Sequence, residues 1–345
     1  MKRHLLTVAM ALLCAVATGC SGSPAGGRMD GGAAAGPPGA DGTAVGAIAS
    51  SDALAPYAPV AGLKGKIASI GGPMTTNVVA RVASGFRRVY PDVTLETRAC
   101  LTGAGPAALL EGRTDLVPMS RTFTPAEVQD FTRKYGYAPT GIKVAADALA
   151  IYVAKESPLR GLTLAQVDGI FSRTQRGGGS SIETWGQAGL TGEWTHRPIR
   201  LFGYGPEDGA SQVFRQEALK GGELRSSLIV EGGGSAIVQG VAVNPGAIGF
   251  ASIFFDCKAV RAVPLVGADG RSYAPTTENI RSQSYPLSRF LYIYVNKPPG
   301  RPFGGPAGEF LRFLLSPEGQ QIVADGGNIR LNTATVSEGL RALAK

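Results

Sequence analysis

Apolar and polar residues recur along the chain in two periods, and these divide it into short elements. Lys66-Ile67-Ala68-Ser69-Ile70 is a β-like run that Gly71-Gly72-Pro73 breaks. Val79, Val82, Phe86 and Val89 then recur at helical spacing, and Pro91 closes that segment. Residues 93–97 predict a second strand. Pro106 marks a helix start, continued by Ala107-Ala108-Leu109-Leu110, and residues 115–119 predict a third strand. Thr124-Pro125-Ala126-Glu127 has the form of a capping box with proline at the first helical position, so a helix follows to about residue 134.

The middle of the chain continues in kind. Residues 148–154 are an apolar strand, and Thr163-Leu164-Ala165-Gln166 is a second capping box opening a helix to about residue 172. A Gly-rich loop covers 173–179. A strand over 199–203 leads through a glycine turn into a helix over 210–219. Ser235 opens another helix, and strands follow at 247–251 and 290–295. Helices over 306–315 and 317–324 close the pattern, the second with Ser316-Pro317 as N-cap and first helical residue. Strands alternating with helices predict α/β architecture with parallel sheets covered on both faces. In such sheets ligands sit beyond the strand C-termini, where helix N-termini offer free N–H groups and a positive dipole end.

The first 63 residues follow neither period. Met1-Lys2-Arg3-His4 is basic, residues 5–16 are apolar, and Ala17-Thr18-Gly19-Cys20 ends the run in small residues and a cysteine. The apolar run is shorter than the roughly 20 residues a membrane-spanning helix takes. It reads as a secretory signal over 1–19, and its end resembles a bacterial lipobox with Cys20 as the acylated residue. The alternative is an ordinary signal cut near the same place. Ser21 after the cysteine points to the outer membrane if the organism has two membranes. Residues 20–63 are mostly Gly, Ala, Pro, Ser and Asp and bury too little to offset ordering entropy, so a disordered tether is expected.

Composition narrows the function classes. At 345 residues and 44% hydrophobic, the chain can build a large core. The net charge is +8, of which Lys2 and Arg3 supply two charges, so +6 would remain after signal removal. This suits an anionic ligand. No Lys/Arg block with interleaved aromatics is present, which argues against nucleic acid. His196 is the only histidine beyond the signal, and it sits in a polar stretch. No nucleophile–base pair or metal cluster is visible, so neither an enzyme nor a cofactor is expected. Cys100 and Cys257 could pair in an oxidising compartment or remain thiols.

From about Gly65 to Leu340 the chain resembles the substrate-binding lipoprotein of phosphate ABC transporters, the PstS-like periplasmic binding proteins. Several segments carry the resemblance: Asp115-Leu116-Val117-Pro118-Met119-Ser120-Arg121, Asp147-Ala148-Leu149-Ala150-Ile151-Tyr152-Val153, Gly246-Ala247-Ile248-Gly249-Phe250, Tyr285-Pro286-Leu287-Ser288-Arg289 and Ser316-Pro317-Glu318-Gly319-Gln320. It implies the type 2 fold, with two α/β lobes joined by two hinge strands. Residues 64–150 and 290–345 would form lobe 1, and residues 151–289 lobe 2. It further implies a monomer on a lipid anchor at the periplasmic side of the envelope, binding a small anion such as phosphate and feeding an ABC permease.

The implied ligand set is Thr75, Thr76, Thr102, Gly103, Ser120, Arg121, Asp208, Gly209, Ala210 and Ser211. Three of the family's ligand turns depart from its pattern. Gly71-Gly72-Pro73-Met74 lacks an early hydroxyl, Leu101-Thr102-Gly103-Ala104 replaces a Gly-Ser-Ser-Thr type of loop, and Asp208-Gly209-Ala210 replaces Ser-Gly-Thr. The family's arginine falls near Tyr204. Each lost hydroxyl removes a charge-assisted bond of about 1.5–3 kcal/mol, and a carboxylate at Asp208 repels an anion. Two readings follow: a phosphate or oxyanion binder, or a divergent protein that keeps the fold for another ligand or for envelope sensing. The threonines also suit simple helix caps, and Ser120-Arg121 suits a turn with a surface salt bridge.

Overall fold

The computed structural model describes residues 54–100, 103–255 and 257–345. The signal over 1–19, Cys20, the tether to residue 53 and Thr102 lie outside the described residues.

Lobe 1 opens with β1 (Gly65–Gly71), α1 (Pro73–Val89) and β2 (Val93–Ala99). β1 and β2 pair in parallel along their whole length. Between them α1 presents Val78, Val79, Val82 and Phe86 to the core, as the helical spacing predicts. The chain continues through α2 (Ala104–Glu111), β3 (Val117–Met119) and α3 (Pro125–Tyr135). The expected capping box at α3 is formed: Glu127 N–H donates to Thr124 Oγ1 at 3.2 Å, and Thr124 N–H donates to Glu127 Oε2 at 2.7 Å. β1 and β3 come very close at Gly71, where a Cβ would lie 2.2 Å from the Pro118 carbonyl oxygen. Only glycine permits that approach. Beside it, the Gly72 N–H donates to the same oxygen at 2.8 Å and fixes the start of α1.

β4 (Thr140–Ala154) then runs out of lobe 1 into lobe 2. It pairs with β12 (Ser288–Val295) from Thr140 to Ala148, and with β8 (Ala247–Ser252) from Leu149 to Val153. Sequence periodicity predicts only its second half, because Gly141, Lys143 and Asp147 interrupt the apolar pattern of the first. Lobe 2 holds β5 (Leu162–Thr163), α4 (Leu164–Phe171), β6 (Arg200–Gly203), α5 (Gly209–Glu217), β7 (Ile229–Val230) and α6 (Gly234–Ala242). After β8 come β9 (Val260–Ala262), β10 (Leu265–Val266), β11 (Ser272–Tyr273) and α7 (Thr277–Arg281). β12 returns the chain to lobe 1, where α8 (Gly305–Leu315), α9 (Pro317–Asp325) and α10 (Thr333–Ala344) complete it.

The expected parallel pairing holds for β1–β2, β6–β8 and β6–β7. It fails at the centre, where β4 lies antiparallel to β12, β8 and β9. A chain that crosses between lobes and comes back through the same gap must run both ways there. Each lobe has its own apolar core, one around Phe171, Trp185, Phe214 and Phe250 and the other around Phe86, Phe310 and Leu314. Helix α10 lies beyond the last element that the sequence pattern predicts. Its scattered Thr, Ser, Glu and Arg hide a stripe of Val336, Gly339 and Leu343, all buried, and Asn332 caps it by accepting from the Thr335 N–H at 2.8 Å.

Residues 54–63, expected as the end of the tether, instead lie against lobe 1. Leu54, Tyr57 and Leu63 pack on its core. The Tyr57 hydroxyl donates to Glu309 Oε2 at 3.0 Å and stands 2.8 Å from the Tyr90 hydroxyl. Three apolar side chains in ten residues are enough to dock a segment that composition alone marks as disordered. Cys100 and Cys257 are half-buried and not joined by a disulfide, and His196 is exposed as expected.

Candidate functional site

The starts of α1, α5 and α6 converge on one cavity of about 210 Å³ between the lobes. Lobe 1 contributes Gly72, Pro73 and Met74 at the start of α1, Arg81 further along it, and Ser120 after β3. Lobe 2 contributes Tyr204, the Asp208-Gly209-Ala210 turn, Gly232-Gly233-Gly234 and the Phe254-Phe255 loop. Phe254 reaches across to lobe 1, where the Arg81 guanidinium lies 5.9 Å from its ring centroid. Gly327 leaves room for the same ring, since a Cβ there would sit 2.5 Å from Phe254 Cε2.

Of the expected ligand residues, the structure places Ser120, Asp208, Gly209 and Ala210 on the cavity wall. Asp208 is the N-cap of α5, and its carboxylate accepts the Ala210 N–H at 2.7 Å. Ser211 lies behind that turn, buried, with its hydroxyl donating to the Tyr204 carbonyl at 3.4 Å. Thr75 and Thr76 are buried in the first turn of α1 and off the lining. They are not caps either, because Gly72 holds that position without a side-chain bond. Both hydroxyls lack a hydrogen-bond partner. Gly103 is the exposed N-cap of α2 and is not part of the cavity.

Arg121 is committed elsewhere. Its guanidinium donates to both Glu127 oxygens, at 2.8 and 2.7 Å, and to the Thr122 carbonyl at 2.7 Å. Burial pushes the Glu127 carboxyl up, but the bonds from Arg121 and Thr124 outweigh it and hold the group below its ordinary 4.5. A carboxyl depressed in the folded state stabilises the fold above its unfolded value, and that contribution is lost as pH falls through the lower folded value. Thermal melts from neutral pH down to about pH 3 should therefore fall more steeply for the unaltered protein than for Arg121→Ala. Parallel curves would show that Arg121 does not hold the charge on Glu127.

Sequence reasoning passed over the hinge cluster behind the cavity. Asp147 on β4 and Arg289 on β12 sit opposite each other in the ladder and are both buried. Asp147 Oδ2 accepts from Arg289 Nε at 2.8 Å and lies 2.7 Å from Nη2 in the ion pair, while Asp147 Oδ1 accepts from the Ser252 hydroxyl at 2.6 Å. Arg289 Nη2 also reaches the Met74 sulfur at 3.5 Å, and Nη1 has no partner. Burial pushes the Tyr204 phenol up, with Arg289 opposing, so the hydroxyl keeps its proton as a donor. That hydroxyl is buried beside the Ser252 backbone N–H, on the hinge side of the ring. A lone aspartate inside Ala145-Ala146-Asp147-Ala148-Leu149 was the available signal, because a charge in an apolar strand needs a buried partner.

Comparison with known proteins places this architecture. A family model described as a PBP superfamily domain matches residues 56–318. The phosphate-binding protein PstS of Pseudomonas aeruginosa is 38% identical over 303 residues, spanning 87% of this chain and 94% of that protein. The chain belongs to the PstS family of the PBP superfamily. Its members are substrate-binding transport proteins rather than enzymes. A putative phosphate ABC transporter substrate-binding protein from Clostridium perfringens, solved with bound phosphate, aligns with a TM-score of 0.61 at 25% identity, over 78% of this chain and 100% of that one. An ABC-type phosphate transport receptor from Vibrio cholerae shares the fold, with a TM-score of 0.63 at 24% identity over 76% of this chain and 99% of that one. The two-lobe type 2 fold expected from sequence is thus the fold observed.

Proposed function

We propose that this chain is the solute-binding component of an ABC transporter of the phosphate type, taking phosphate or a related oxyanion between its lobes. One observation carries the reading: the starts of α1, α5 and α6 meet at one interlobe cavity beside the Ser120 and Tyr204 side chains. The relative named for phosphate binding is 38% identical over most of the chain. Helix starts supply N–H donors and a favourable dipole for an anion. The protein acts outside the cytoplasm as a monomer, held to the membrane by a lipid on Cys20, and hands its ligand to a permease.

A second reading has support of its own. Asp208 puts a carboxylate on the cavity wall and Arg121 is tied to Glu127, so the ligand need not be inorganic phosphate. Titration calorimetry and thermal shift at neutral pH, with phosphate, arsenate, sulfate and methyl- and phenylphosphonate, test the oxyanion reading. Saturable binding of at least one is expected. Silence from all of them at millimolar concentration would leave the envelope-sensing alternative.

A further inference from the structure

Phe254 stands two residues past the end of β8 and is 39% exposed, yet its ring is held from the other lobe. The ring edge lies on Gly327 of lobe 1, where a Cβ would come within 2.5 Å of Cε2 and 2.7 Å of Cδ2. The Arg81 guanidinium lies over the ring at 5.9 Å from its centroid, within reach of a cation–π contact. Gly326 makes room for the Arg81 stem in turn, since a Cβ there would lie 3.0 Å from Arg81 Cδ. Two consecutive glycines after α9 thus seat an arginine stem from lobe 1 and a ring from lobe 2.

Both sides of this contact are anchored. On lobe 2, the Phe254 N–H donates to Ser252 Oγ at 3.2 Å, and the Ser252 hydroxyl donates to Asp147 Oδ1 at 2.6 Å. The Phe255 ring meets Phe254 edge-to-face and covers Gly234 at the start of α6. On lobe 1, Ile329 stands two residues past Gly327 and exchanges backbone hydrogen bonds with Ala146 of β4, at 2.8 and 3.2 Å. The ring and its seat are therefore tied to adjacent residues of the same hinge strand. Phe254, Arg81 and Gly326 all line the interlobe cavity, so the contact is on the cleft side of the hinge. Parting the lobes lifts the ring from its seat and returns apolar surface to water, at a cost.

We propose that Phe254 is an interlobe clasp, whose seating on Gly327 and Arg81 favours the closed cleft before any ligand arrives. A cleft biased shut leaves less of the closure to be driven by binding, which raises the apparent affinity for whatever ligand it takes. The clasp goes beyond the oxyanion reading and does not rest on it.

Small-angle scattering of the full chain in ligand-free buffer tests it, comparing the unaltered protein with Phe254→Ala and Arg81→Ala. Both side chains are exposed, so the variants should fold, and melting curves check this. Each variant should show a larger radius of gyration, from a closed-to-open ratio lowered about threefold or more. The double variant should open little further than Phe254→Ala alone, because the two side chains share one contact. Amide exchange over Gly232-Gly233-Gly234, which faces the cleft, should quicken by the same factor, and it reports opening even where the open form is rare. Val243→Ala, exposed on lobe 2 and off the cavity lining, should change neither. Scattering and exchange unchanged in both single variants overturn the proposal. So does a more compact Phe254→Ala, which would make the ring a wedge that holds the lobes apart. If Phe254→Ala melts early, Arg81→Ala alone decides.

Discussion

Replacing Asp147 by alanine should destabilise the protein by about 3–5 kcal/mol, the usual cost of removing one partner from a buried ion pair. Arg289 would keep its charge in a site where Nη1 already lacks a partner, and the Ser252 hydroxyl would lose its acceptor. Urea unfolding measures the loss. The double variant Asp147→Leu with Arg289→Met should recover much of it, because apolar residues of similar volume avoid the desolvation cost. A loss under about 1 kcal/mol for the single variant would mean that water reaches the pair. The cluster joins β4, β8 and β12, so its loss should also loosen the hinge. Faster amide exchange along β4 near Asp147 would report that.

Asp208→Ser should strengthen oxyanion binding by about tenfold, or about 1.4 kcal/mol. Serine caps a helix about as well as aspartate, so the Ala210 N–H keeps an acceptor and α5 keeps its start. What disappears is a negative charge on the cavity wall. At an effective dielectric near 20, two like charges a few ångströms apart repel by a few kcal/mol, and the α5 N-terminus already offsets part of that. Calorimetry with the best oxyanion of the panel gives the ratio, and a melting curve confirms the fold. An unchanged affinity at an unchanged melting temperature would show that the ligand sits clear of Asp208.

Much of the fold can be read from local chemistry. The capping boxes at Thr124 and Thr163 and the cap at Ser316 all form where the sequence places them, because a cap needs only residues within one turn. The first half of β4 escapes notice for the opposite reason. Asp147 looks out of place until Arg289, 142 positions later, is set beside it. The site divides the same way. Ser120 and the Asp208-Gly209-Ala210 turn are visible as short motifs ahead of helices. Phe254, Arg81 and the Gly232-Gly233-Gly234 turn become site residues only when two lobes are brought face to face. Arg121 carries the reverse lesson. Glu127, which was read as a helix cap, also claims the guanidinium, and no single-purpose reading of the capping box reveals that.

The docking of residues 54–63 has a mechanical side. The described chain enters on lobe 1 through Tyr57 and ends on lobe 1 with α10. Lobe 2 is connected to the rest of the chain only through β4 and β12, and Phe254 rests its ring on the opposite side. Any load applied through the N-terminal segment therefore enters lobe 1 and bypasses the hinge. If the lobes close on a ligand, lobe 1 would be the stator and lobe 2 the moving arm. A lipid at Cys20 would then restrain where the protein is without opposing how it closes.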